Sequence, residues 1–178
     1  MGEQIKERVS VILKEHEALL ACLNEEALES LAEKIANARA VFFTAQGRSG
    51  NMARALAIRF LHMGIAVHVA GEPSTPAIGA GDLLIAISSS AKTKITLNHL
   101  ETAKKERAAT ALLTAAEDPG VSDMYVRIPA KTGIPSVQHA GSLFEQAILL
   151  VGDALAWYVQ GRLGASEESM NQRHSNLQ

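Results

Sequence analysis

Apolar positions recur at helical spacing from the start of the chain. Ile5, Val9, Ile12, Leu19, Leu20 and Leu23 follow a 3.6-residue repeat, which predicts an amphipathic helix over 3–23. Asn24 stands where a cap belongs, and Ala27, Leu28, Leu31, Ala32 and Ile35 mark a second helix. The pattern then changes. AVFFT (40–44) is short and wholly apolar, which reads as a buried strand. AVHVA (66–70), LLIAIS (83–88), ATALLT (109–114) and MYVRIP (124–129) read the same way. Between them NMARALAIRFLHMG gives a helix ending on Gly64, and residues 93–107 fit another. KTGIPSVQHAG is a long loop before SLFEQAILLVGDALAWYVQGRL (142–163), a helix apolar almost all round. Such a helix belongs in the core, and partly against another subunit. A last short helix starts at Ser166, with Glu168 and Ser169 in its first turn.

Strands alternating with helices predict parallel pairing. The fold class expected is α/β: a three-layer open parallel sheet of about five strands with helices on both faces, flavodoxin-like or Rossmann-like. One domain is expected over 1–178, with helices at 1–38, the α/β core at 39–163 and a helical tail at 164–178.

Composition narrows the function classes. The 178 residues suit a single domain, and 47% hydrophobic with 20% charged residues is ordinary globular usage. The net charge of -2 supplies no basic field for nucleic acid or an anionic membrane. An anion site must therefore be local. The lone Cys22 excludes an intrachain disulfide and fits a reducing, cytoplasmic setting. No uninterrupted apolar run approaches the ~20 residues of a membrane span, and MGEQIKERVS has no signal-peptide core.

Two strand-to-helix turns carry the candidate chemistry. SSSAKT follows the third strand, with Ser88, Ser89 and Ser90 at the strand end and Thr93 at the helix start. Free amides and the positive dipole end at a helix N-terminus stabilise an anion, and hydroxyls add short donors. QGRSG follows the first strand, with Gly47 permitting close backbone approach, Ser49 donating and Arg48 able to meet a phosphate or a carboxylate. Hydroxyls at such junctions also serve as plain N-caps. Two such turns in one α/β chain favour a shared ligand. AQGRSG is an imperfect G-x-G-x-x-G without its first glycine, and no Asp or Glu stands in the second strand, so dinucleotide binding is poorly supported. A P-loop is excluded because no G-K-[ST] occurs.

GRSGNMARALAIRFLHMG, GEPSTPAIGAGDLLIAISSSAKT, AGSLFEQAILLVGDALAWYV and the terminal RHSNLQ together resemble the sugar isomerase (SIS) fold family, and within it the 6-phospho-3-hexuloisomerase group. The resemblance runs over nearly the whole chain. It implies a phosphosugar held by Ser88, Ser89, Ser90 and Thr93, with Ser49 in the first turn. It also implies homo-oligomers, commonly a tetramer built as a dimer of dimers, and no metal or organic cofactor. The motifs depart from the family at several positions, among them QHAGSLFE in place of a proline-containing entry. Ala45 replaces a usual glycine, Ser89 and Ala91 replace glycines of the serine-rich turn, and Lys92 replaces a glutamate.

The implied reaction moves a carbonyl from C3 to C2, converting D-arabino-3-hexulose 6-phosphate to fructose 6-phosphate in the ribulose monophosphate route of formaldehyde fixation. A base must take the proton beside the ketone, and the enediolate needs donors. Glu145, near the start of the apolar helix, is the first choice for base. Its alternative role is a carboxylate satisfied by the helix dipole. His174 in the RHSNL tail is the second choice, reaching a neighbouring subunit or its own, with an exposed tail histidine as the alternative. His62 reads as packed in the core, His68 as facing away from Val67 and Val69, His99 as solvated and His139 as near the site. Glu72 is a weaker candidate. No histidine pair has metal-ligand spacing. Two function classes remain: an isomerase of hexulose phosphate or another phosphosugar (phosphoheptose, arabinose 5-phosphate), and a non-catalytic phosphosugar sensor.

Overall fold

The computed structural model describes residues 2–177. Two N-terminal helices, α1 (Gly2–Leu20) and α2 (Glu25–Asn37), precede β1 (Val41–Thr44) and α3 (Gly47–His62). Next come β2 (Val67–Val69), β3 (Leu83–Ile87), α4 (Lys94–Lys105), β4 (Ala109–Thr114) and β5 (Met124–Arg127). The long α5 (Ser142–Leu163) and the short α6 (Glu167–Gln172) complete the chain. The two side-chain caps fall where the sequence puts them. The Asn24 side chain accepts from the Ala27 amide at 2.9 Å, and the Ser166 side chain accepts from the Ser169 amide at 3.1 Å. The first helix stops at Leu20, short of the predicted 23.

The five strands form one sheet in the order β2-β1-β3-β4-β5, and every pair is parallel. This is the flavodoxin-like order. The chain leaves β1 to build β2 on one side and returns to build β3 on the other. The crevice outside the carboxyl ends of β1 and β3 is therefore the topological switch point, where open α/β sheets bind ligands.

Strand alternation divides the core in two. Val41, Phe43, Leu83, Ile85, Ile87, Ala111, Leu113 and Val126 face a large cluster shared with α2, α3 and α5. Phe42, Leu84, Ala86 and Leu112 face a smaller cluster to which α4 brings Leu100 and Ala103. Both faces carry helices, as expected, but unequally. The second face is finished by loop residues Ile78, Ala116 and Val121.

α5 is long and apolar enough to cross a membrane by length and composition alone. Here it is the core helix, half of its apolar window buried, packed on α1, α2 and α3. Gly152 lets α3 approach closely, since a Cβ there would lie 2.2 Å from Cδ2 of Leu56. The outer side of α5 leaves Leu150 and Trp157 exposed, Trp157 by 77%.

Candidate active site

Two helices begin at the switch point. α3 starts at Gly47 with Gln46 as N-cap, and α4 starts at Lys94 with Thr93 as N-cap. Neither N-cap side chain bonds its helix amides, so the first-turn amides are not satisfied by the caps. Thr93 is at the cap position, but its side chain does not cap α4. Its Oγ1 lies 3.2 Å from Oγ of Ser88, which is buried. Ser90 Oγ accepts from the Lys92 amide at 3.3 Å and is exposed. Ser89 is half-buried, and its carbonyl accepts from the Ala115 amide and from Thr114 Oγ1, tying the turn to β4.

Among the glycine replacements, only Ala91 has left-handed backbone, at φ 53°. A Cβ there costs about 1–2 kcal/mol, which gives the physical reason a glycine suits that position. Ala45, Ser89 and Lys92 have no such strain. Gly47 has φ 60°, and a Cβ at that point would meet nothing within 4 Å. Its glycine thus serves the turn conformation, and the space beside it is open. Ser49 is half-buried in the first turn of α3.

Of the two partners open to Arg48, it meets a carboxylate. Its Nη1 lies 2.8 Å from Oε2 of Glu145 and donates to Ser142 Oγ at 2.9 Å. The chain thus joins the start of α3 to the start of α5 through side chains 94 and 97 residues apart in sequence. The Glu145 side chain is only 14% exposed, whereas Arg48 is 60% exposed. The two are in ion-pair contact, although no donor meets hydrogen-bond geometry at Oε2 of Glu145. The guanidinium beside it supplies the opposite charge that a largely buried carboxylate needs. Ser142, read from sequence only as a helix start, is the residue that holds Arg48 in place.

His174 is not in this cluster. Its ring lies against that of His62, with centroids 4.9 Å apart, at the far end of α3. Fourteen residues of helix from Arg48 to His62 span roughly 21 Å. The two imidazoles line a 710 Å³ cavity with Arg59, Asp153, Glu167 and Met170. His62 is buried, as expected, and burial, then the nearby His174 and Arg59, hold it below its usual pKa. Within one chain, then, Glu145 and His174 occupy opposite ends of α3.

The remaining histidines divide. His68 packs on Phe42, on the sheet face away from Val67 and Val69, as expected. His139 is exposed in the loop before α5. His99 corrects the sequence reading, since it is half-buried and its Nδ1 lies 2.7 Å from Oγ1 of Thr44 at the end of β1. α4 turns that position toward the sheet beside the buried Leu100. Glu72 pairs with Arg54 at 3.1 Å, outside the crevice cluster. Among the described residues no three His, Cys, Asp or Glu side chains gather to hold a metal ion.

Residues 34–152 match the SIS domain family model. A 3-hexulose-6-phosphate isomerase of Mycobacterium gastri is 37% identical over 186 aligned positions, covering 100% of this chain and 94% of that protein. Another from Bacillus subtilis (strain 168) is 33% identical, covering 97% of this chain and 98% of that protein. A solved structure of a hypothetical protein from Methanococcus jannaschii, from which a molecular function of 3-hexulose-6-phosphate isomerase was inferred, superimposes with a TM-score of 0.85 at 26% identity. That match covers 97% of this chain and 99% of the other. Shared sequence over the full length, the parallel sheet and the two strand-end turns lead to one conclusion: this chain belongs to the SIS domain family, and its fold is that of the phosphosugar isomerases.

Proposed function

We propose that this protein interconverts D-arabino-3-hexulose 6-phosphate and fructose 6-phosphate through an enediol, in the cytoplasm and without a metal or organic cofactor. The observation that carries the reading is the Glu145 carboxylate, largely buried at the start of α5 and paired with Arg48 from the first turn of α3 at the switch point. Full-length similarity to proteins named as this isomerase supports the choice of sugar.

The chemistry assigns roles as follows. The phosphate sits on the uncapped N-terminus of α4, among Ser88, Ser89, Ser90 and Thr93. Gly47 and Ser49 lend the amide end of α3, beside the open space at Gly47. Glu145 takes the C2 proton of the 3-ketose. The electrons of that C–H bond form the C2=C3 double bond, and the C3 oxygen takes up a proton to become a hydroxyl. Collapse from the C2 hydroxyl, which gives up its proton in turn, makes the C2 carbonyl, and Glu145 returns its proton to C3. Arg48, fixed by Ser142, holds the Glu145 carboxylate in place and contributes positive charge near the enediolate. His174, at the distant end of α3, would act in a neighbouring subunit's site, and its distance from Glu145 within one chain supports that choice. We propose the assembly as a homotetramer, a dimer of dimers, with the exposed Ile5, Val9, Leu13, Leu150 and Trp157 as apolar surface for contacts between copies.

Turnover in D2O tests the mechanism. The enediol route places solvent deuterium on C3 of fructose 6-phosphate in part of the product. Product formed with no deuterium over many turnovers would contradict proton exchange through the enediol.

A further inference from the structure

The loop 131–141 leads into α5 and so sets where Glu145 stands. It is held from outside the sheet. Glu15, on α1, accepts three hydrogen bonds from consecutive loop residues: Ser136 Oγ at 2.8 Å, the Val137 amide at 2.7 Å and Gln138 Nε2 at 2.9 Å. The neighbouring His16 is buried, and its Nε2 lies 2.9 Å from Oε1 of Gln146, the residue after Glu145. α1 itself is anchored by Leu19, fully buried in the main core. Two adjacent residues of one helix therefore grip both the loop and the first turns of α5, 121 to 130 positions away in sequence.

We infer that Glu15 is a positioning residue for Glu145: its three bonds fix the loop 136–138 and, with the His16–Gln146 bond, the setting of the first turns of α5. The inference rests on the proposed role of Glu145 as base. A carboxylate that accepts three donors converging from one short segment is a clamp, and it restricts the loop at both backbone and side chain. The ionised state of Glu15 matches this. Burial would raise its pKa, but the bonds from Gln138, Val137 and Ser136 and the charge of Arg8 outweigh burial and hold it below the usual value. None of these bonds involves the serine-rich turn or the first turn of α3. Loss of the clamp should therefore misplace the base without emptying the phosphate cradle.

The test compares Glu15→Gln with wild type and with Glu17→Gln, an exposed neighbour on the same helix. Ser136→Ala and Gln138→Ala each remove one donor and keep the result readable if Glu15→Gln folds poorly. Hydrogen exchange of the amides at 136–146 is read first, then kcat and KM on hexulose 6-phosphate. The expected result is faster exchange at Val137 and through the start of α5. With it kcat falls roughly tenfold or more, KM stays within about twofold, and the two loop variants show fractions of the effect. Unchanged exchange overturns the proposal, as does faster exchange with kcat unchanged or with the loss confined to KM. Exchange needs no turnover, so an inactive wild-type chain would sink the substrate reading while this comparison still decides the clamp.

Discussion

Gly152→Ala tests the close packing of α3 on α5, the two helices that carry Arg48 and Glu145. An added Cβ would lie 2.2 Å from Cδ2, 2.6 Å from Cδ1 and 2.9 Å from Cγ of Leu56. All three atoms of the branched end are too near, so no single methyl rotation relieves the overlap. Leu56 is itself only 3% exposed and has no open space to enter. Either Leu56 leaves its rotamer or α3 and α5 separate. Overpacking of this kind costs about 1–3 kcal/mol. Alanine in place of glycine in a helix interior returns about 1 kcal/mol. The net expectation is a loss of about 0–2 kcal/mol, which for a chain of this size lowers Tm by up to about 8 °C. Calorimetry or urea unfolding reads it. A double-mutant cycle makes the cause specific: Leu56→Ala should cost about 1 kcal/mol or more less in the Gly152→Ala background than alone, because it removes the atoms that clash. A Gly152→Ala protein more stable than wild type, with additive behaviour toward Leu56→Ala, would refute the close approach.

Ser90→Ala should raise KM roughly tenfold with little change in kcat, because a hydrogen bond to the phosphate is made equally in ground and transition states; initial-rate kinetics measure the split. Asp82 is buried and accepts from Arg39 through two bonds of 2.8 and 2.6 Å and from the Gly79 amide at 2.9 Å. The Arg39 bonds, outweighing burial, hold its carboxyl below the ordinary value of 3.8. A depressed folded pKa gives stability that is full above that value and lost as pH falls through the folded one. Asp82→Asn should therefore cost about 1–2 kcal/mol near neutrality, after allowance for the exposed Arg39, and little in acid; urea midpoints at pH 7 and near pH 2 measure the difference.

The sheet was legible because its signals are local. AVFFT, LLIAI and ATALLT are apolar runs too short for helices, and the structure places β1, β3 and β4 on them within a residue or two. Asn24 and Ser166 cap as read because a cap needs only its own helix's amides. Contacts across long loops were not legible. Arg48 carried two possible partners, a phosphate or a carboxylate, and only the packing of α3 on α5 selects Glu145. His99 read as solvated because the apolar repeat of α4 is weak. Thr96, Leu100 and Ala103 are the buried positions, and His99 stands beside them, in contact with Thr44 at the end of β1. Ala91 shows the opposite case: the departure was visible in sequence, and its left-handed backbone came from the structure. The Glu15 clamp had no sequence signal, since an acidic residue on an amphipathic helix reads as a solvated face.

The central claim is that Glu145 is the base of a hexulose phosphate isomerase. A coupled assay that supplies D-arabino-3-hexulose 6-phosphate and follows fructose 6-phosphate tests it most directly, with Glu145→Gln beside wild type. The account predicts rapid turnover by wild type and a fall in kcat of about 100- to 10,000-fold in Glu145→Gln, with KM little changed. Full activity in Glu145→Gln would remove Glu145 from the mechanism. No turnover by wild type, with fructose 6-phosphate still raising its Tm, would contradict the isomerase reading and leave a protein that binds the phosphosugar without converting it.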